Sequence, residues 1–234
     1  MRLLRSKVAG AIAVGAVALL PGLEPSANAT VLRHAPGAIA SSEREAVAPS
    51  SFATFTNSRA TAVARKLAEN YVDFSFDYPA DWTIDPKTGR PDAINFVKVI
   101  RPRTGDSIDT ETFAVGYFKA TGDPDFDATL IPQLLNQFKT QFAAGFPNFV
   151  EIDRGPTSVN GIAGSQLRFQ STVDGESGRV VIWGRVILIK PQKATTGVTL
   201  VLLGTDHAPE LRGIDDLGVA GELPVILASF RFSG

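Results

Sequence analysis

Two segments in the C-terminal half decide the architecture of this chain. RVVIWGRVILIK (179–190) is apolar at nearly every position, and so is VTLVLLG (198–204), with a short turn-rich loop between them. A strand that alternates apolar and polar residues can leave one face in water. A strand apolar on both sides cannot, so these two belong to a sheet covered on both faces. Short loops between successive strands make that sheet an antiparallel meander, and its covers must be helices. Three helical segments are available, at about 59–69, 130–144 and 223–231. The expected fold is α+β, an antiparallel sheet sandwiched between helices in an α/β/α arrangement.

The other elements follow from spacing. In SRATAVARKLAEN, Ser58 or Thr61 can cap the first helix. Val72, Phe74, Phe76 and Tyr78 alternate with Asp73, Ser75 and Asp77, which is a half-buried strand. Pro79 ends it, and a turn leads to Trp82, one of only 2 tryptophans. AINFVKVI (93–100) and TFAVGYFKA (112–120) read as strands. Leu134, Leu135, Phe138 and Phe142 recur at helical spacing. Pro132 suits the first turn, so that helix is expected to start at Leu130 or Ile131 and to end at Gly145. VEIDRGPTSVNG and IAGSQLRFQSTV are expected to be strands around a Gly-Pro turn, and DGESG to be a hairpin loop. ELPVILASFRF puts Leu223, Ile226, Leu227 and Phe230 on one side of a closing helix opened by Pro224.

The N-terminus reads as an export signal. Arg2, Arg5 and Lys7 precede an uncharged run, Val8–Leu23, and Ala27-Asn28-Ala29 offers a cleavage site after Ala29. The run is shorter than the roughly 20 residues a spanning helix needs, so the mature chain is expected to have no transmembrane span. Residues 30–57 are rich in Ala, Ser, Pro and Thr without a period and read as a flexible linker. The folded domain is then 58–234. With no cysteine, the chain has no disulfide, thiolate metal site or thiol nucleophile. A net charge of -1 gives no bulk attraction for nucleic acid.

The pattern F-x-F-x-Y-P-x-x-W, carried by Phe74, Phe76, Tyr78, Pro79 and Trp82, resembles the start of PsbP-like domains. These are the extrinsic photosystem II proteins and their bacterial relatives, including DcrB-like periplasmic proteins. The order of elements is similar as well: strands, a long helix, four hairpin-linked strands and a closing L-x-x-I-x-x-S-F helix, here Leu223, Ile226, Ser229 and Phe230. The resemblance spans about residues 70–232. It implies an α/β/α sandwich with no catalytic activity, in the periplasm or thylakoid lumen. It also implies an accessory role, binding or stabilising a membrane protein complex such as the oxygen-evolving complex of photosystem II. The chain lacks the junction cysteine of lipid-anchored cyanobacterial members, and residues 30–57 do not align with the segment plant members use to engage the photosystem. The alternative function is a periplasmic module for a small ligand or lipid. A monomer is expected.

Few residues offer chemistry. Asp123, Asp125 and Asp127 alternate in DPDFD and could supply hard oxygen ligands to Ca2+. An EF-hand would need Gly and Glu where the chain has Ala128 and Leu134, and the plainer reading is carboxylates facing a helix N-terminus. Asp206 and His207, with Glu210 nearby, could hold Zn2+, or form an ordinary polar loop. Ser177 lacks the strand–turn–helix setting of a nucleophile elbow, so no enzyme activity is expected. Trp82 is either a core plug or an exposed anchor for a partner. Arg101 and Arg103, in RPR, are basic turn residues and candidate partner contacts, or a solvated loop.

Overall fold

The computed structural model describes residues 51–64, 67–89, 95–101, 109–175 and 178–233. The expected signal peptide, the linker as far as residue 50, Arg103 and Ser177 lie outside the described residues. In chain order the elements are β1 (Phe52–Thr56), α1 (Arg59–Ala64), a 3-10 turn (Ala68–Asn70), β2 (Phe74–Pro79), β3 (Thr83–Ile84) and a second 3-10 turn (Pro86–Gly89). There follow β4 (Val97–Ile100), β5 (Glu111–Lys119), α2 (Pro124–Gly145), β6 (Val150–Val159), β7 (Ile162–Gly175), β8 (Gly178–Ile189), β9 (Thr196–Thr205), α3 (Leu223–Ser229) and β10 (Arg231–Phe232).

The strands form two antiparallel sheets, a large one in the order β3-β4-β5-β9-β8-β7-β6 and a small one in the order β1-β2-β10. β8 and β9 lie inside the large sheet, which is why both of their sides are apolar. On one side, Phe118, Val186, Leu188 and Val201 pack with Leu134, Leu135, Phe138 and Phe142 of α2. On the other, Phe113, Ile187, Leu200 and Leu202 pack with Phe74 and Phe76 of β2 and with Leu223 and Ile226 of α3. The second cover is therefore a small sheet together with helices, where helices alone were expected. The strand carries aromatics into that cover: the Phe74 ring lies 5.5 Å from that of Phe230, and the Phe76 ring 5.0 Å from that of Phe113.

Four further expectations need correction. Residues 52–57 are not linker: β1 pairs along β2 from Phe52↔Pro79 to Thr56↔Ser75, and the Asn57 side chain donates to the Val72 carbonyl at 2.7 Å. The folded domain reaches back at least to β1. The closing helix is shorter than expected and gives way to β10, which pairs with β2. The Gly155-Pro156 step is not a turn. β6 runs through it, because β6 is the edge of the large sheet, where a residue without an N–H need cost no ladder bond. The turn is Asn160-Gly161, with φ 50 and 80, the left-handed pair of a tight hairpin. Asn160 then caps the end of α3, its Nδ2 donating to the Ala228 carbonyl at 2.9 Å and the Phe230 carbonyl at 2.6 Å.

α2 begins at Pro124, not at Leu130, and holds Pro132 in its interior. Asp123 caps it, Oδ1 accepting from the amides of Asp125 at 2.9 Å and Phe126 at 3.3 Å. Pro132 cannot donate to the Ala128 carbonyl. Both residues are exposed, so water can satisfy that oxygen while the buried stripe stays intact. Replacing Pro132 by Ala restores the missing bond, and the Pro132→Ala chain should gain on the order of 1 to 3 kcal/mol. Thermal or denaturant unfolding checks this; an unchanged or lower midpoint would contradict it.

Candidate functional site

Between β9 and α3 the chain runs as a strap, residues 206–222, over the side of the large sheet that carries β2 and α3. Leu211 and Leu217 are buried in that core and hold the strap down. Two polar constellations lie beneath it.

The first surrounds Arg101, just past β4. Its Nη1 donates to Glu111 Oε2 at 2.7 Å and to Glu210 Oε1 at 2.8 Å. Its Nε lies 3.8 Å from Glu222 Oε2, and that same oxygen accepts the indole Nε1–H of Trp82 at 2.7 Å. Three carboxylates thus share one guanidinium. Glu111 opens β5 and is wholly buried, and its Oε1 has no hydrogen-bond partner among the described residues. The strap backbone presses on it: a Cβ at Gly221, where φ is 75, would stand 3.0 Å from that oxygen. Burial pushes the Glu111 carboxyl up to about 7; Arg101 pulls it down, and the charges of Glu210 and Glu222 push it further up. Burial works against the Arg101 cation, but its bonds to Glu210 and Glu111 hold the guanidinium above its ordinary value.

The second lies on β6, β7 and β8. By register Asp153, Gly155, Thr157, Gln166, Arg168 and Arg185 share one side of the sheet. Arg168 is doubly engaged: Nε reaches Asp153 Oδ1 at 2.9 Å, Nη2 bonds Asp153 Oδ2, and Nη1 meets Asp215 Oδ1 at 2.7 Å. Arg185 is half-buried and pairs with no acid among the described residues. Its Nε donates to Gln166 Oε1 at 2.8 Å and its Nη2 to Thr157 Oγ1 at 3.1 Å. Nη1 lies under the strap, 3.0 Å from where a Cβ of Gly218 would be. Burial, and then the charge of Arg168, lower the Arg185 pKa, while Asp153 opposes them.

The residues singled out in the sequence go to different places. Trp82 and Arg101 meet at Glu222, but the Trp82 ring is only 3% exposed, so it is a core plug and not an exposed anchor. Arg101 turns inward to its carboxylates. The three aspartates of DPDFD are spent separately. Asp123 caps α2, Asp125 is exposed in its first turn, and Asp127 is buried. Asp127 Oδ1 accepts from the Thr121 amide at 2.8 Å, and its Oδ2 pairs with Lys190 at 3.0 Å. Asp206 Oδ1 accepts from the Val181 amide at 3.1 Å, His207 is exposed, and Glu210 belongs to Arg101. Among the described residues no group of three or more His, Cys, Asp or Glu could hold a metal ion, so neither the calcium nor the zinc arrangement forms. Glu111, Glu222, Arg168 and Arg185 were missed. Arg185 had a signal: it is a lone charge inside an apolar run, WGRVIL.

No family model matches the chain, and no curated protein matches it. Among solved structures it is similar to cyanobacterial PsbP (CyanoP) from Synechocystis, with 15% identity, 82% of this chain and 98% of that chain covered, and a TM-score of 0.46. It is similar to LpqN, involved in cell envelope biogenesis of Mycobacterium tuberculosis, with 14% identity, coverage of 78% and 92%, and a TM-score of 0.45. It is also similar to the Ran-binding protein Mog1p of Saccharomyces cerevisiae, with 15% identity, coverage of 68% and 89%, and a TM-score of 0.39.

Glu111 makes stability depend on pH. Its carboxyl rises from 4.5 to about 7 on folding, so the folded chain holds this proton more tightly than the unfolded chain. The contribution, on the order of 3 kcal/mol, is complete below the lower value and fades as pH rises through the upper one. Melting curves from about pH 5 to about pH 8 should show stability falling for the native chain. Glu111→Gln keeps an oxygen for Arg101 but cannot ionise, and its curve should stay flatter over that window. Parallel curves for the two chains would refute the assignment.

Proposed function

We propose that this chain is a non-enzymatic, exported accessory domain of the PsbP-like type, which binds and stabilises a membrane protein complex. The observation that carries this reading is the meeting of its two motifs. Phe74, Phe76 and Trp82 from the opening motif share a core with Leu223, Ile226 and Phe230 from the closing one. Ser229 joins them by hydrogen bonds, Oγ accepting from the Asp77 amide at 2.8 Å and donating to the Ile226 carbonyl at 2.8 Å. The residues that carry the family resemblance therefore serve architecture, and most of the acids and arginines named above are used in the same way. A scaffold of this kind acts through its surfaces. No helix among the described residues is long and apolar enough to cross a membrane. In a photosynthetic source, the oxygen-evolving complex of photosystem II is the partner this reading names.

A second reading, a module for a small ligand, is favoured by one observation: Arg185 is half-buried and forms no ion pair among the described residues.

Density-gradient sedimentation tests the first reading. The chain, mixed with detergent-solubilised membranes of its source, should migrate with a high-mass complex and saturate it. A chain that stays at the top of the gradient at every loading, with and without calcium, would overturn it.

A further inference from the structure

We infer that Arg185 is the centre of a binding site for an oxyanion group, a carboxylate or a phosphate, at the end of a small ligand. The inference rests on the reading of this chain as a binding module and names what one of its surfaces takes.

The chemistry of the shelf is one-sided. A guanidinium only donates, so Gln166 must turn its Oε1 to Arg185, which leaves the amide –NH2 of Gln166 as a donor. Thr157 accepts from Arg185 through Oγ1, which leaves its hydroxyl hydrogen to give. Nη1 of Arg185 makes no hydrogen bond among the described residues. The hydrogens left over, on Gln166, Thr157 and Nη1, are donors beside a positive charge. That is the complement of an oxyanion, which only accepts.

The acids nearby do not fill the role. Asp153 and Asp215 are both held by Arg168. Asp215 is 86% exposed, so its pairing is a surface ion pair worth about 1 kcal/mol or less and can be exchanged for a bound anion. A half-buried cation that Asp153 reaches only through space, while bonded to Arg168, bears a desolvation cost that an incoming oxyanion would offset. Burial and Arg168 already lower the Arg185 pKa, which registers the same cost.

The shelf also has room. Gly155 lies opposite Gln166 across the β6–β7 pair, and nothing lies within 4 Å of where its Cβ would be. Thr157, Gln166 and Arg185 are half-buried, and the strap closes over Nη1 at Gly218. A group recessed in this way is reached by the end of a small molecule more readily than by a flat protein surface.

The test is a 1H–15N NMR titration of the full chain, following the Arg185 Nε–H and the amides of Gly155 and Gly218. The probes are inorganic phosphate and acetate, with chloride at matched ionic strength. Phosphate, acetate or both should shift these signals saturably, and chloride should not. Arg185→Gln should weaken the response about tenfold or more. Gln166→Glu supplies Arg185 with a carboxylate from within, so it should raise the melting temperature and abolish the response, even if Arg185→Gln folds poorly. Saturation by phosphate alone assigns a phosphoryl group, and by acetate alone a carboxylate. No saturable response to either probe, or a native-like response in Gln166→Glu, overturns the site. If the site fails while gradient co-migration holds, the accessory reading stands. If co-migration fails while anions bind, the small-ligand reading replaces it.

Discussion

The interior strands of the large sheet are apolar on both sides, and that requirement organises the rest of the chain. Each large side chain removed from water contributes about 1.5 to 3 kcal/mol, so neither side can be left open. One side is solved locally. α2 lies between β5 and β6 in sequence, and a single buried stripe from Leu130 to Phe142 covers it. The other side is solved by the two ends of the folded domain. β1 and β2 come from the start and α3 and β10 from the finish, and they must meet over Phe113, Ile187, Leu200 and Leu202.

Bringing those ends together has an electrostatic consequence. The strap that carries the chain from β9 to α3 must lie close to the sheet, and it passes over charged groups at both constellations. At Gly218 and Gly221 the backbone comes so near Arg185 and Glu111 that a side chain would crowd them, and both glycines take positive φ. Trp82 is fixed by the same closure. Its indole reaches Glu222, the residue immediately before α3, and so joins the turn after β2 to the start of the closing helix. Glu222 thereby becomes the third acid near Arg101. The crowding that lifts the Glu111 carboxyl arises in part from the way the fold closes.

Much of the fold was legible because it follows from periodicity. The doubly apolar strands, the alternation through Phe74 and Phe76, and the stripe on α2 each depend on local spacing, and each appears where the spacing put it. The misreadings came from residues whose local preference was overridden. Pro132 sits inside α2 because it faces water, a matter of orientation that spacing had not been used to decide. Gly155-Pro156 reads as a turn until β6 is known to be an edge strand. β1 and β10 are short, and the partner of β10 lies at the other end of the folded domain, so little in the local spacing marks them. The candidate site was less legible for the same reason. Trp82 and Arg101 were noticed separately, but the acids that unite them come from β5 and from the strap. For the DPDFD aspartates the plainer of the two readings, carboxylates at a helix start, is the one that Asp123 follows as the cap of α2.

Arg101 and Arg185 show how far setting outweighs residue type. Each is a partly buried arginine beneath one strap, on one side of one sheet. Arg101 has more carboxylate than a single guanidinium can neutralise, and the excess is stored as a proton on Glu111 near neutral pH. Arg185 has polar neighbours that can only solvate it, Gln166 and Thr157, and its countercharge has been taken by Arg168. A buried charge disfavours the fold unless something compensates it. At Arg101 the compensation is internal and depends on pH. At Arg185 it is incomplete within the described residues, and an imbalance of that kind, on a surface with room beside it, is what an incoming anion would offset.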